Sequence, residues 1–170
     1  GPHAPEIKDT YIKLDEDLAK LLKELENNVG FENAVVFLTA DHGVVSEPKE
    51  LLERNIPAGY FDGSIMKTEL LAHLNTLYGE GDWIKNYSNN HLFLNHDLIS
   101  SQKINMEVIQ RKCAQFFLKY EWVKNTYTAT QLNENEYQNS FHSLVQRGYN
   151  QKRSGDVIVS LQTGWLSSYW

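Results

Sequence analysis

Asp41, His42 and Gly43 stand together in the sequence and form the one cluster whose residue types invite chemistry. A carboxylate beside an imidazole offers an oxygen and a nitrogen donor, both of which zinc accepts. Gly43 lets the backbone turn sharply behind them. The same residues also suit an ordinary turn at a strand end, and the tripeptide alone leaves both readings open. The run before it, Ala34-Val35-Val36-Phe37-Leu38-Thr39, is apolar at odd and even positions alike. Such a run is expected to form a strand buried on both faces of a sheet. In open α/β sheets ligands gather at the carboxyl ends of strands, so this setting favours the metal reading.

Other reactive residues carry less. His96-Asp97 repeats the pair in reverse order after a hairpin, which argues against a metal role. His73 and His142 fall in amphipathic helical patterns and are expected to be partly exposed, His91 reads as a hairpin residue, and His3 matches no ligand pattern. The single cysteine, Cys113, can make neither an internal disulfide nor a zinc cage by itself. It sits on an apolar helical face and reads as a core residue. Trp165, Tyr169 and Trp170 could stack on a base or sugar; packing against further sheet segments is the plainer expectation. No Gly-rich phosphate loop, Ser-His-Asp order or zinc-finger spacing is present.

The positioning elements follow from periodicity. Tyr11, Leu14, Leu18, Leu21, Leu22 and Leu25 recur at three- and four-residue steps and predict a helix from about Asp9 to Asn27. Val44 to Gly63 reads as a loop holding a short helix near Pro48 to Arg54. From Ser64 the pattern changes. Ser64 is expected to cap a helix with Ile65, Leu70, Leu71, Leu74 and Leu77, which Gly79 and Gly81 stop. Trp83–Tyr87 and Leu92–Leu94 flank a turn and predict a hairpin. Asn105 is expected to cap a helix with Met106, Ile109, Cys113, Phe116 and Phe117. Val123 to Thr130 reads as a strand. Asn133 with Glu136 suggests a capping box for a helix carrying Tyr137, Phe141, Leu144 and Val145. Val157 to Leu161 closes the series as a strand. The order predicts a helix-and-strand piece of α/β type followed by a small α+β subdomain, of which the ferredoxin-like arrangement is one form.

Composition bounds the function. The chain has 170 residues, 41% of them hydrophobic and 12% aromatic, enough for a core. Its formal net charge is -6, which disfavours a broad grip on a nucleic-acid polymer or anionic lipid. No stretch approaches the ~18 apolar residues of a membrane span, and no signal-peptide pattern opens the chain. Gly1-Pro2 reads either as a tag remnant or as native sequence.

Phe37-Leu38-Thr39-Ala40-Asp41-His42-Gly43 resembles the Thr-Ala-Asp-His-Gly segment of the alkaline phosphatase superfamily. The nearest branch is the phosphate-irrepressible alkaline phosphatases with the type I phosphodiesterases and nucleotide pyrophosphatases. Asp9-Thr10-Tyr11-Ile12-Lys13-Leu14-Asp15-Glu16-Asp17-Leu18-Ala19 resembles a helix of that family, and Tyr149-Asn150-Gln151-Lys152-Arg153-Ser154-Gly155-Asp156-Val157, with Gly164-Trp165 after it, resembles a later stretch. The likeness is loose between Glu47 and Asn135.

The resemblance implies a two-zinc phosphate-ester hydrolase, periplasmic or secreted, in which Asp41 and His42 ligate the zinc that activates the nucleophile. It implies that the nucleophile and the remaining ligands lie outside this chain, so no catalytic residue is assigned here. The chain alone is then expected to be inactive, with zinc weak or absent. Monoester substrates are favoured over diesters. The implied organisation is a core piece at 1–63, an inserted α+β subdomain at 64–161, and a truncated return to the core at 162–170. Self-association, or an exposed apolar surface around Val35 and Phe37, is expected of such a piece. The competing reading is a non-catalytic binding or interaction module with a vestigial metal motif.

Overall fold

The computed structural model describes residues 2–168. They fall into two compact units, divided between Pro57 and Ala58.

In the first unit, α1 spans Pro5–Asn28 and begins earlier than the apolar repeat suggests. Pro5 explains the start: its fixed φ suits the first helical position, where its missing N–H costs nothing. The N-cap, Ala4, supplies no side-chain bond. The helix closes where the Gly30 N–H donates to the Leu25 and Glu26 carbonyls, with Gly30 at φ 80°. A 3-10 turn, Phe31–Asn33, follows, and α2 covers Pro48–Glu53, as the sequence predicts.

Between them the expected buried strand is absent. Residues 34–39 have no regular structure and pair with no strand. Val35 is 93% exposed and Leu38 95%. The apolar pattern is genuine, but a doubly buried strand needs ladder partners and a cover on each face, and this unit provides neither. The α1 stripe is likewise uncovered: Tyr11, Leu14, Leu18 and Leu21 are exposed, and no residue of α1 is buried.

The second unit closes on itself. Its elements are β1 (Gly59–Phe61), α3 (Gly63–Tyr78), β2 (Ile84–Ser88), β3 (His91–Leu94), α4 (His96–Ser101), α5 (Met106–Phe117), β4 (Val123–Thr128), α6 (Ala129–Glu134), α7 (Phe141–Gly148), β5 (Val157–Leu161) and β6 (Trp165–Ser167). Four strands form one sheet in the order β2-β3-β5-β4, with every neighbour antiparallel. β3 and β4 therefore run parallel, joined through α5, with β5 inserted between them. That is the split β-α-β of ferredoxin-like folds. The β2–β3 hairpin turns through Asn89 and Asn90, both at positive φ, the two-residue geometry that matches strand twist. β1 and β6, which the periodicity does not reveal, pair in parallel as a separate two-stranded sheet.

Residue alternation explains the packing. On one face of the sheet, Leu92, Leu94, Val157 and Val159 meet Met66, Leu70 and Leu74 of α3 and Ile109, Cys113 and Phe117 of α5. On the other, Tyr127 and Ile158 pack with Leu132 of α6 and the partly buried Tyr137, Val145 and Tyr149. Caps correct two expectations. Asp62, not Ser64, caps α3, its carboxylate accepting from the Ser64 N–H at 2.8 Å. The proposed Asn133/Glu136 box does not exist. Thr128 with Gln131 caps α6, so β4 ends at Thr128 and Asn133 lies inside a helix. Ser140 with Ser143 then opens α7. Asn105 caps α5 as expected. Among the described residues no helix is long and apolar enough to cross a membrane.

Candidate metal centre

Asp41 and His42 lie in the irregular segment that follows the uncovered apolar run, and both are exposed. Their side chains converge locally. Asp41 Oδ1 accepts from the His42 N–H at 2.8 Å, which folds the carboxylate back over the next residue. His42 Nδ1 lies 2.8 Å from the Gly43 carbonyl oxygen. A carbonyl only accepts, so Nδ1 donates in this contact and Nε2 is the ring's other polar atom. A backbone carbonyl fixing one ring nitrogen this way is the usual support of a metal-binding histidine.

Nε2 stands 3.3 Å from Asp41 Oδ2. Zinc bonds of about 2.0–2.1 Å in a tetrahedral shell place neighbouring donors about 3.3–3.4 Å apart. The pair thus has the donor chemistry and the spacing of one edge of a zinc tetrahedron. It supplies two donors where catalytic zinc takes three protein ligands, and among the described residues no group of three or more metal-ligating side chains occurs.

The remaining histidines are occupied elsewhere. His96 pairs with Asp156, not with its neighbour Asp97, through a 2.8 Å contact from Nε2 to Oδ1. Asp156 arrives from 60 positions away, so no local spacing could show the pair. His91 Nδ1 accepts from the Gly155 N–H at 3.0 Å, and burial holds its pKa down, so its ring is a neutral structural acceptor. His73 packs on Phe116, and His142 between Tyr127 and Tyr137. His3 approaches Glu50 at 3.8 Å. Cys113 is fully buried, and burial pushes its thiol up to about 12, so it is inert as a nucleophile or ligand. Of the three terminal aromatics, Trp165 is partly buried against the core and lies across Gly59, where an added Cβ would sit 2.7 Å from the ring. Tyr169 and Trp170 lie outside the described residues.

Comparison with known proteins covers the chain from end to end. A family model for type I phosphodiesterase / nucleotide pyrophosphatase matches residues 1–169. Alkaline phosphatase PafA of Elizabethkingia meningoseptica is 30% identical over 169 residues, spanning 99% of this chain and 31% of its own. Alkaline phosphatase PhoV of Synechococcus elongatus is 29% identical over 168 residues, and a protein named calcium-transporting ATPase of Myroides odoratus 30% over 162. The crystal structure of wild-type PafA superposes with a TM-score of 0.85 at 30% identity, covering 100% of this chain and 32% of that one. The chain thus spans about a third of the length of these relatives. Its mixed α/β fold is that of the PafA-like alkaline phosphatases, and the chain belongs to the type I phosphodiesterase / nucleotide pyrophosphatase family of the alkaline phosphatase superfamily.

Proposed function

We propose that this chain is part of a zinc-dependent phosphate-ester hydrolase, and that Asp41 and His42 are two ligands of one of its two zinc ions. The observation that carries this reading is the 3.3 Å separation of Asp41 Oδ2 and His42 Nε2, with the other ring nitrogen held by Gly43. The setting adds support. The pair follows an apolar run that wants sheet partners, and the chain spans about a third of its relatives. Zinc at such a site supplies a Lewis acid that neutralises charge on phosphoryl oxygens. Asp41 would add anionic charge to balance the ion, and the Gly43 carbonyl would keep the imidazole in the ligating tautomer.

The substrate class is a small phosphate ester. A monoester preference follows the relatives named alkaline phosphatase, and a periplasmic or secreted location rests on the family resemblance alone. The proposed organisation keeps 64–161 as a subdomain inserted between two core pieces, 1–63 and 162–170. The parallel pairing of Gly59 with Trp165 favours it, because an insertion must leave and rejoin its parent at neighbouring strands. The alternative, a non-catalytic module with a vestigial metal motif, draws support from the self-contained core of the second unit.

Two measurements separate them. Full-length parent protein is assayed for zinc content and for turnover of a nitrophenyl phosphate, with and without Asp41→Ala or His42→Ala. The hydrolase reading expects loss of one zinc and at least ~10²-fold in rate. Near-normal activity with both ions retained would reject the assignment. The 170-residue chain alone is expected to be inactive and to lose any zinc on dialysis. Zinc-dependent turnover by it, abolished by Asp41→Ala, would overturn that expectation.

A further inference from the structure

We propose that a hollow in the second unit, between the end of β3, α6 and the turn from Tyr149 to Asp156, binds a phosphate group. It measures about 380 Å³ and includes neither Asp41 nor His42. The proposal does not depend on the zinc reading.

The hollow is built around a buried charge. The Asp156 side chain is only 10% exposed. Its Oδ2 accepts from the Leu94 N–H at 2.8 Å, and its Oδ1 accepts from Gln110 Nε2 at 3.3 Å and from His96 Nε2 at 2.8 Å. Gln110 is itself buried and cannot flip, because its Oε1 accepts from the Thr130 N–H and hydroxyl at 3.2 and 2.9 Å. The carboxylate can only accept here, so His96 donates from Nε2 and Nδ1 is its remaining polar atom. The imidazole is 63% exposed. Burying a carboxylate is costly, and here part of that cost fixes the tautomer and tilt of an exposed ring. A carboxylate holding an imidazole in this way is how proteins prepare a histidine to meet a ligand.

The rest of the wall fits an anion. Asp156 is the sole acidic residue lining the hollow, and it faces three donors. Lys152 lines the same space, and no ion pair engages it among the described residues. Asn133 and Ser154 add neutral polar groups. Gly155 keeps the turn close: a Cβ there would sit 2.5 Å from the Leu92 carbonyl oxygen, so only glycine lets the wall press against β3. Hydrogen phosphate fits such a wall: its oxygens accept from the Lys152 ammonium and the neutral donors, and its remaining P–OH donates to His96 Nδ1. No arginine lines the hollow, so no bidentate clamp exists and affinity in the millimolar range is expected.

The test uses the 170-residue chain in chelator-treated buffer, titrated with inorganic phosphate and with glycerol phosphate by calorimetry and by NMR of the histidine rings. Saturable binding that moves the His96 resonances is expected. His96→Gln should weaken it about tenfold, the loss of the acceptor for the P–OH of an anionic group, and Lys152→Ala several-fold. Asp156→Asn should weaken it through His96, with the His96 signals shifting toward those of a free imidazole. Asp41→Ala should leave it unchanged. No saturable binding up to roughly 50 mM, or binding indifferent to both His96→Gln and Lys152→Ala, would overturn the proposal. Binding lost with Asp41→Ala would also overturn it, by moving the anion to the other unit. Should Asp156→Asn unfold the chain, His96→Gln and Lys152→Ala decide alone.

Discussion

The two units spend similar apolar sequences in opposite ways. In the second, Leu70, Leu74, Leu92 and Phe117 disappear into a common core. In the first, Leu14, Leu18, Val35 and Leu38 remain exposed, although their spacing is as regular. The difference lies in what each side chain finds opposite it. A helix stripe and a sheet face are both half-interfaces, and apolar burial rewards only completed ones. The second unit contains both halves. The first contains one long helix, one helix of 6 residues and one apolar run, too little to cover either of the larger pieces. Pattern therefore reports what a segment needs, and packing reports whether the need is met within the unit.

The contrast is broken most severely by chemical labelling. Cys113 is fully buried with a thiol that stays protonated near neutral pH, whereas a Val36→Cys probe would sit in the uncovered run. In a Cys113-only chain the alkylation rate should be at least about 10³-fold slower than at position 36 in a Cys113→Ser background, because reaction waits for opening of the core. Comparable rates would mean that the second unit has no stable core.

Truncation comes next. Phe117→Ala should lower the stability of the second unit by about 3–5 kcal/mol, and Phe37→Ala, at an exposed position, should change it by less than about 0.5 kcal/mol. Urea titration of both variants measures the difference. A larger loss at Phe37 would show that the run is covered in solution, as self-association would do.

Caps sharpen the comparison further. The Asp62 side chain caps α3, but Ala4 gives α1 no side-chain cap. Asp62→Ala should cost about 1 kcal/mol, while Ala4→Asp should raise α1 helicity, a gain of similar size. Circular dichroism with thermal melts follows both.

The smallest effect belongs to the surface. The Tyr120 hydroxyl, and after it the Lys119 ammonium, bond to Glu69 and hold its carboxyl below the ordinary range. Because the folded pKa is depressed, the contribution is complete above the unfolded carboxylate range and is lost as pH falls through the folded value. The melting difference between the native chain and Glu69→Gln should be small and constant near neutrality and shrink in acid. A difference that grows in acid would contradict the pairing.

Much of the second unit is legible in sequence because its cues are local. Asn89-Asn90 between two apolar runs gives the hairpin, Asn105 gives the start of α5, and the alternation of Val157, Ile158 and Val159 gives a strand with two covered faces. The missed elements lack such cues. β1 and β6 are three residues each, too short for any period, and exist through mutual pairing across a gap of about a hundred positions. α6 was hidden because Thr128 belongs to a β-branched run and its capping role shows only once β4 stops. At the candidate metal centre, Asp41 and His42 are legible as donors, and their orientation through the Gly43 carbonyl is not. The His96–Asp156 pair is illegible for the reason β1 and β6 are: its members meet only after the sheet has formed.

The parallel run of β1 beside β6 has a topological consequence. The chain leaves β1 at Phe61 and rejoins at Trp165, opposite Gly59, so departure and return lie at opposite ends of the strand pair. Everything between is then a single crossover connection, swollen into a body with its own sheet. No hairpin could replace it, since two parallel strands cannot be joined by a tight turn. A shortened chain would need a crossover of at least about 10–12 residues, and α3, which follows β1 directly, is already 16 residues long. A minimal version would therefore keep α3, discard the four-stranded sheet with its remaining helices, and run straight from the end of that helix into β6.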